Sequence, residues 1–147
     1  MLALTNRLVF ETTRAPEFVD ITDGVVQFVR ESRVQNGCVV IYSRHTTAAI
    51  KVNENEPLLL EDMERFLERM APRDADYKHN DFSIRTVNLE EDDHPNGHSH
   101  CQHLLMSTSE TVPVIDGELQ LGKWQRVFLV ELDRPRTREV VLQALGE

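Results

Sequence analysis

Sulfur chemistry is nearly absent from this chain. Its two cysteines, Cys38 and Cys101, form no CxxC pair. They are too few for a disulfide scaffold and suit a reducing compartment. No apolar run approaches the length of a membrane span. The opening MLALTNRLVF lacks a basic flank followed by a long apolar stretch, so no secretory signal is expected there. Positive charge is scarce: 16 Lys and Arg stand against 25 Asp and Glu, a formal net charge of −9. Such a surface repels phosphate backbones, which argues against nucleic acid as a partner unless a local basic patch overrides it. There is no internal repeat, low-complexity tract, interdomain linker or glycine-rich phosphate loop. The remainder, 147 residues with 40% hydrophobic content, fits one domain over residues 1–147 with one core. The expectation is a soluble, cytoplasmic, bacterial-type protein with no nucleic-acid and no membrane partner.

The patterning that is present predicts a sheet-rich chain. LALTNRLVFET and EFVDI read as strands. Thr22 reads as an N-cap, with Asp23 in the first turn and Val25, Val26 and Val29 on one helical face, and Asn36-Gly37 as the stop. GCVVIYS is an apolar run bounded by Gly and Ser, so it reads as a buried strand. RHTTAAIKVNENEP then supplies a turn, a strand and a helix start, with Asn55 able to cap and Pro57 suited to the first turn. Leu59, Met63, Phe66, Leu67 and Met70 recur at helical spacing. Residues 71–97 are polar, acidic and irregular, and so long a stretch inside a small domain is functional or mobile. HCQHLLMS, TVPVI, ELQL, QRVFLVEL and REVVLQAL read as strands. Asp116-Gly117 is a hairpin turn, and Pro113 belongs at an edge or bulge. The expected fold is α+β: an antiparallel β-sandwich-like core with two main helices packed on it.

Several polar groups have both a chemical and a plain structural explanation. In HPNGHSH, residues 94–100, His98 and His100 would share one face of a strand and converge on a cation, or they are surface histidines at a strand end. His45 follows the buried strand directly, with Thr46 and Thr47 able to orient its ring or bind a substrate oxygen. The alternative is a hydrogen-bonded histidine in a side-chain-supported turn. In NENE, Glu54 is a candidate general base or metal ligand, against plain helix capping. Capping accounts for Asn55 and Glu56 better than for Asn53 and Glu54. His79 sits alone in the long acidic loop. Arg134, Arg136 and Arg138 would share a face if extended and grip phosphate or carboxylate, or else form a charged protective edge. The single tryptophan, Trp124, is a core plug or an aromatic wall beside a site.

In order, HTTAAIKVNENEP with LLLEDMERF, then YKHND, then SHCQHLLMSTSETVPVIDGELQLGKWQRVFLVELDRPR and a Gly-Glu ending resemble the YjbQ-like family, usually labelled secondary thiamine-phosphate synthase. The resemblance runs nearly end to end. It implies an α+β domain assembled as a homotrimer. It also implies a metal set of His45, His79 and His100, with His98 fitting the pattern less firmly and His94 and His103 less again. Asn53 and Glu54 match the family's Asn-Glu pair, and Trp124 and Gln125 its Trp-Gln pair. Met106-Ser107-Thr108-Ser109 and Asp133-Arg134-Pro135-Arg136 depart from the glycine-containing turns often found at those places.

The label implies joining a hydroxymethylpyrimidine diphosphate to a thiazole phosphate with loss of pyrophosphate. That chemistry calls for a divalent cation and basic groups on the diphosphate. Arg136, Arg138 and Lys123 are the candidate grips. Three imidazoles suit Zn²⁺ better than Mg²⁺, which prefers oxygen, although Mg²⁺ or Mn²⁺ would serve a diphosphate. The expectation is therefore a trimeric metal-binding enzyme. Its catalytic residues are Glu54, His45 and Asn53, and Thr46, Thr47, Trp124, Gln125, Arg136 and Arg138 bind a small phosphorylated or carboxylated metabolite. The physiological step would be metal-assisted hydrolysis or lyase chemistry. A trimer that binds a metabolite without turnover, or that is purely structural, is the alternative.

Overall fold

The unbroken apolar run VFLV, residues 127–130, demands cover on both faces, and the fold supplies it. It lies in β7 (Gln125–Glu131), the middle strand of a three-stranded antiparallel sheet between β2 (Glu17–Asp20) and β4 (Ala48–Glu54). Because successive side chains alternate, Val127 and Leu129 point to one face and Phe128 and Val130 to the other, and all four are fully buried. The structure is a computed structural model and describes residues 1–147.

A second antiparallel sheet stacks on the Val127–Leu129 face. Its strands are β1 (Leu2–Glu11), β3 (Gly37–Ser43), β5 (Ser109–Ile115), β6 (Glu118–Leu119) and β8 (Thr137–Gly146), ordered β1-β8-β3-β5-β6. Val39, Ile41, Val112, Val114, Val140 and Leu142 meet Ile50, Val127 and Leu129 across the gap. Removing this apolar area from water is the main force holding the two sheets together. The expected Asp-Gly hairpin joins β5 to β6, with φ of 52° at Asp116 and 76° at Gly117, the left-handed pair that a two-residue hairpin requires. ELQL contributes only two paired residues, so Pro113 sits one strand in from a very short edge.

The first helix, α1 (Thr22–Ser32), closes one end of this core with Val25, Phe28 and Val29. Phe28 takes the buried place expected for Val26, which is only half-buried. The helix stops at Arg33, in left-handed conformation, three residues before the expected Asn36-Gly37. Asp20 anchors its start by accepting from the Thr22 amide and hydroxyl and from Arg126. Burial opposes that charge, but the bonds from Arg126, Thr22 and Asn55 outweigh it and hold the carboxyl at about 2.

The second helix, α2 (Pro57–Met70), covers the outer face of the three-stranded sheet. Leu67 packs against Phe128, Val130 and Leu132. Glu56, rather than Asn55, caps it by accepting from the amides of Leu58 and Leu59, and Pro57 occupies the first turn. The expected apolar stripe is only partly used: Leu67 is buried, while Phe66 and Met70 are 46% and 56% exposed.

One expected strand is a helix. HCQH does not continue the sheet; Gly97–His103 forms α3, the third helix where two were expected. Its buried residues His98, Ser99 and Gln102 recur at helical rather than alternating spacing. No β-branched side chain in the stretch favours a strand. Tertiary bonds hold it: Ser99 Oγ donates to the Leu132 carbonyl and Gln102 Nε2 to the Ala71 carbonyl at the end of α2.

Leu129→Ala, which empties a fully buried site between the sheets, should lower unfolding free energy by about 2–5 kcal/mol. Ile115→Ala, at a half-exposed position, should stay within about 0.5 kcal/mol of wild type. Urea midpoints measured side by side check both.

Candidate functional site

Where β3 ends and β4 begins, the chain makes a short turn through Arg44, His45, Thr46 and Thr47. Ser43 shapes it, donating to the Ala48 carbonyl at 2.7 Å and accepting from the His45 amide at 3.3 Å. The side-chain-supported turn is therefore present, with serine rather than threonine as its support. Facing it are the β7–β8 connection (residues 132–136), α3 and the single 3₁₀ turn Lys78–Asn80. The first turn of α3 rests directly on the Tyr77 side. Gly97 donates its amide to Asn80 Oδ1, and a Cβ on Gly97 would lie 2.6 Å from Tyr77 Cβ. That close approach brings His79 and His100 together, ring centroids 4.7 Å apart and nearly perpendicular.

Two adjoining clefts open here and share Thr46 and His100. The first, about 540 Å³, is lined by ten residues, none hydrophobic, among them Thr47, His79, Arg85, Asn96 and Arg136. The second, about 500 Å³, holds His45, Cys101 and His103 together with Tyr42 and Leu104. One half is thus fully polar and the other mixed, and His100 stands at the junction.

The fold divides the expected site residues between two places. His45, Thr46, Thr47, His79, His100 and Arg136 come together at this cleft. Glu54 does not: it ends β4, opposite Gln125, while Thr47 precedes the first residue of that strand. Six residue steps of about 3.3 Å separate Ala48 from Glu54, roughly 20 Å. Asn53, Trp124, Gln125 and Lys123 lie at that far end. There Asn53 Nδ2 meets the Met63 sulfur, Gln125 Oε1 accepts from the Gly122 amide, and the Lys123 ammonium stacks on the exposed Trp124 ring. Within one chain Glu54 cannot serve as base to His45, and Lys123 cannot reach the cleft.

The arginines do not share one face either. Arg138 is buried, with Nε and Nη2 on the Glu131 carboxylate and Nη2 also on Thr47 Oγ1, so it is no free phosphate grip. Arg134 and Arg136 both donate to the buried Asp133 carboxylate. Of Arg134, Arg136 and Arg138, Arg136 alone lines the polar cleft. His98, expected beside His100, lies on the opposite side of α3, 1% exposed, with its Nε2 against Ser99 Oγ and its Nδ1 without a partner. Residues two apart on a helix point away from each other.

The residue types of the three-histidine metal set are suitable, but its donors are not arranged as one. No three His, Cys, Asp or Glu side chains converge in a metal-holding group. His45 Nε2 accepts the Glu139 amide at 3.0 Å, which commits the lone pair a neutral imidazole would give a cation. The juxtaposed donors are two, His79 and His100. Arg85 also lines the polar cleft, and its one signal in the sequence is that it is the only Lys or Arg between Asp81 and Asn96. Its guanidinium is held by the Val87 and Asn88 carbonyls and by Asp93. Asp133 and Glu131, which set the arginines, gave no signal beyond an acidic residue at a strand end.

Electrostatics favour neutral imidazoles here. Burial lowers His45, and the Arg138 and Arg136 charges lower it further. Burial lowers His100, with His79 adding to the effect. Burial and then Arg73 lower His98.

The fold and cleft define an α+β sandwich protein with one polar, histidine- and arginine-lined pocket between the sheet ends and a short helix. The family profile described as "UPF0047 protein YjbQ-like" matches residues 6–147. A UPF0047 protein of Methanothermobacter thermautotrophicus is 40% identical over 147 residues, covering 100% of this chain and 95% of its own. The UPF0047 protein YugU of Bacillus subtilis is 34% identical, covering 97% and 100%. A crystal structure of a YbjQ-like protein of unknown function from Sulfolobus solfataricus superposes with TM-score 0.89 at 35% identity, covering 99% of each chain. A hypothetical protein from Aeropyrum pernix gives 0.87 at 35%, covering 98% of this chain and 99% of its own. This chain belongs to the YjbQ-like UPF0047 family.

The three depressed imidazoles have a consequence for stability. A histidine whose folded pKa lies below the ordinary 6.5 binds its proton more readily when unfolded. Its contribution is complete above about 6.5 and is lost as pH falls from there toward the folded value. Urea midpoints should therefore drop between pH 7.5 and 5, and His98→Gln should flatten part of that drop. A profile rising toward acid would contradict the assignment.

Proposed function

We propose that this protein binds and transforms a small phosphorylated or carboxylated metabolite in the cleft around His100. The observation that carries the reading is the fully polar half-cleft, in which Arg136 stands with the paired imidazoles of His79 and His100, while Arg85 is already held by Asp93 and two carbonyls. Guanidinium groups are suited to phosphate and carboxylate oxygens. A neutral, half-buried His100 is ready to accept a proton, with His79 beside it to pass that proton on. The mixed half, with Tyr42 and Leu104, suits the organic body of such a ligand. The family resemblance implies a thiamine-phosphate synthase-like transfer, and both substrates of that reaction carry phosphate. Hydrolysis or lyase chemistry on a related ligand makes the same demands. A binding protein without turnover would use the same arginine but would not need His100 as a base.

The closeness of His79 and His100 also supports an alternative to the base role: a divalent cation, Zn²⁺ by donor type, held by the lone pairs of these two rings in place of a proton and completed by ligand or water oxygens. When bound it would supply Lewis acidity to a phosphate oxygen. Inorganic phosphate and pyrophosphate binding, followed by calorimetry with and without Zn²⁺, tests these readings together. Arg136→Gln should weaken the anions about tenfold or more, since a hydrogen bond to a charged group is worth ~1.5–3 kcal/mol. His79→Ala and His100→Ala should abolish any Zn²⁺ enhancement, and His94→Ala, in the exposed loop, should not. Wild-type affinity in Arg136→Gln would refute the anion reading. Equal Zn²⁺ enhancement in all the histidine variants would refute the metal.

Homotrimeric assembly belongs to the same proposal. Its support is the uncovered side of α2 and the turn beside it: Leu58, Phe66 and Met70 are 68%, 46% and 56% exposed, and Leu105, which lines a small apolar pocket with Phe66, is 45% exposed. An apolar face of that kind on a folded chain marks an interaction surface. A second copy is also the only route by which the Glu54–Trp124 end could approach a histidine cleft, so a role for Glu54 as base depends on assembly. A soluble, cytoplasmic setting agrees with two free cysteines and with the lack of any helix long and apolar enough to cross a membrane. Light scattering should give about three times the 17.0 kDa chain mass, and Phe66→Glu with Met70→Glu should reduce it. A wild-type monomer at micromolar concentration would refute the assembly.

A further inference from the structure

Two consecutive residues of β8 control both ends of the His45–Thr47 turn. The Glu139 amide donates to His45 Nε2 at 3.0 Å. A backbone N–H can only donate, so Nε2 must carry the ring's lone pair and the imidazole proton must sit on Nδ1. The preceding residue, Arg138, donates from Nη2 to Thr47 Oγ1 at 2.9 Å and to the Thr47 carbonyl at 3.3 Å. A guanidinium likewise has no acceptor, so the Thr47 oxygen receives and its own hydrogen remains free to be given. Arg138 is fixed in turn by Glu131, which is fully buried and also accepts from Thr12 Oγ1 and the amides of Leu132 and Asp133. His45 lines one half of the cleft, Thr47 the other, and Thr46 both.

We propose that the Arg138-Glu139 dipeptide makes this turn an oxyanion-binding array, in which His45 Nδ1–H and the Thr47 hydroxyl donate to oxygens of the ligand's anionic group. His45 is then a hydrogen-bond donor of fixed tautomer and serves neither as a metal ligand nor as the base. Arg138 and Glu131 are positioning residues that act through Thr47. The ligand class is a phosphate, carboxylate or comparable oxyanion, and in that respect the inference rests on the anion-binding reading of the cleft. The tautomer itself does not depend on that reading. Burial and the nearby Arg138 charge also keep the ring from gaining a second proton.

Long-range ¹H–¹⁵N spectra of the ligand-free protein, with His45 assigned through His45→Gln, decide the first half. Nδ1 should be of the protonated pyrrole type and Nε2 of the bare pyridine type, unchanged by Zn²⁺. A proton on Nε2, or a Zn²⁺-induced shift of either nitrogen comparable to that at His100, would overturn the array. Inorganic phosphate affinity decides the second half. Thr47→Val, which keeps shape and removes the hydroxyl, should lose about tenfold, while Thr47→Ser should stay within about twofold. Arg138→Met combined with Glu131→Leu removes the buried ion pair without leaving a lone charge. It should fall to the affinity of Thr47→Val with the circular dichroism spectrum retained. If that double variant does not fold, the threonine pair and the tautomer still decide. Phosphate binding equal in wild type and Thr47→Val overturns the array alone. Absence of phosphate binding in wild type overturns the anion-binding reading and with it the array's ligand, whatever the tautomer.

Discussion

The Glu131 carboxylate is the point on which the functional end of this molecule depends. It lies fully buried at the end of β7 and takes hydrogen bonds from Thr12, from Arg138 and from the amides of Leu132 and Asp133. An ionised carboxylate out of water is tolerable only when its oxygens are so filled and a cation stands beside it. By meeting that demand the fold ties four segments together: the end of β1 through Thr12, the β7–β8 connection, β8 through Arg138, and the His45–Thr47 turn through Arg138's second partner. Apolar packing alone would bring the two sheets face to face. It would not determine which way the threonine and histidine of that turn present their donors.

A second buried carboxylate, Asp133, extends the same logic outward. It is 2% exposed and receives Arg134, Arg136 and Asn96. Through Arg136 it shapes the polar cleft, and through Asn96 it meets the residue that precedes α3. The helix is therefore located by polar contacts more than by hydrophobic burial. Ser99 reaches Leu132, Gln102 reaches the end of α2, and Gly97 lies against Tyr77. Such contacts are directional, and they explain how a helix of two turns can hold His100 beside His79. The cleft is a junction of strand ends organised by buried ion pairs, set on a rigid sandwich.

The far end of the three-stranded sheet is built differently. Asn53 and Gln125 satisfy local backbone and sulfur contacts, and Trp124 stands in solvent with Lys123 over its ring. An exposed tryptophan and an uncovered apolar side of α2 on a chain with a well-filled core give this protein two surfaces that intramolecular packing leaves unused. The homotrimer proposed above would give both a place, and the chemistry at the cleft does not require it.

The sequence by itself determined the elements whose patterns are local. The strands of LALTNRLVFE, GCVVIYS, AAIKVNE and RVFLVE, the Asp-Gly hairpin and the Pro57 helix follow from alternation, turn residues and 3.6-residue spacing, because backbone geometry repeats over those distances. The order of motifs pointed to the YjbQ-like family. Of the expected site residues, the fold brings His45, Thr46, Thr47, His79, His100 and Arg136 to one cleft, but leaves Asn53, Glu54, Trp124 and Gln125 at the far end of the sheet and Arg138 buried. What the sequence could not carry was anything fixed by partners far along the chain. HCQH became a helix because Tyr77, Ala71 and Leu132 receive it, against the strand expected from its neighbours. Arg138 became an internal counter-ion because Glu131 lies across the sheet end, although its sequence neighbours suggested a phosphate grip. Glu54 and His45, nine residues apart, were separated by a strand whose rise carries them to opposite ends of a sheet. Side-chain roles of this kind depend on tertiary distance and burial, which sequence spacing encodes only within a single helix or strand.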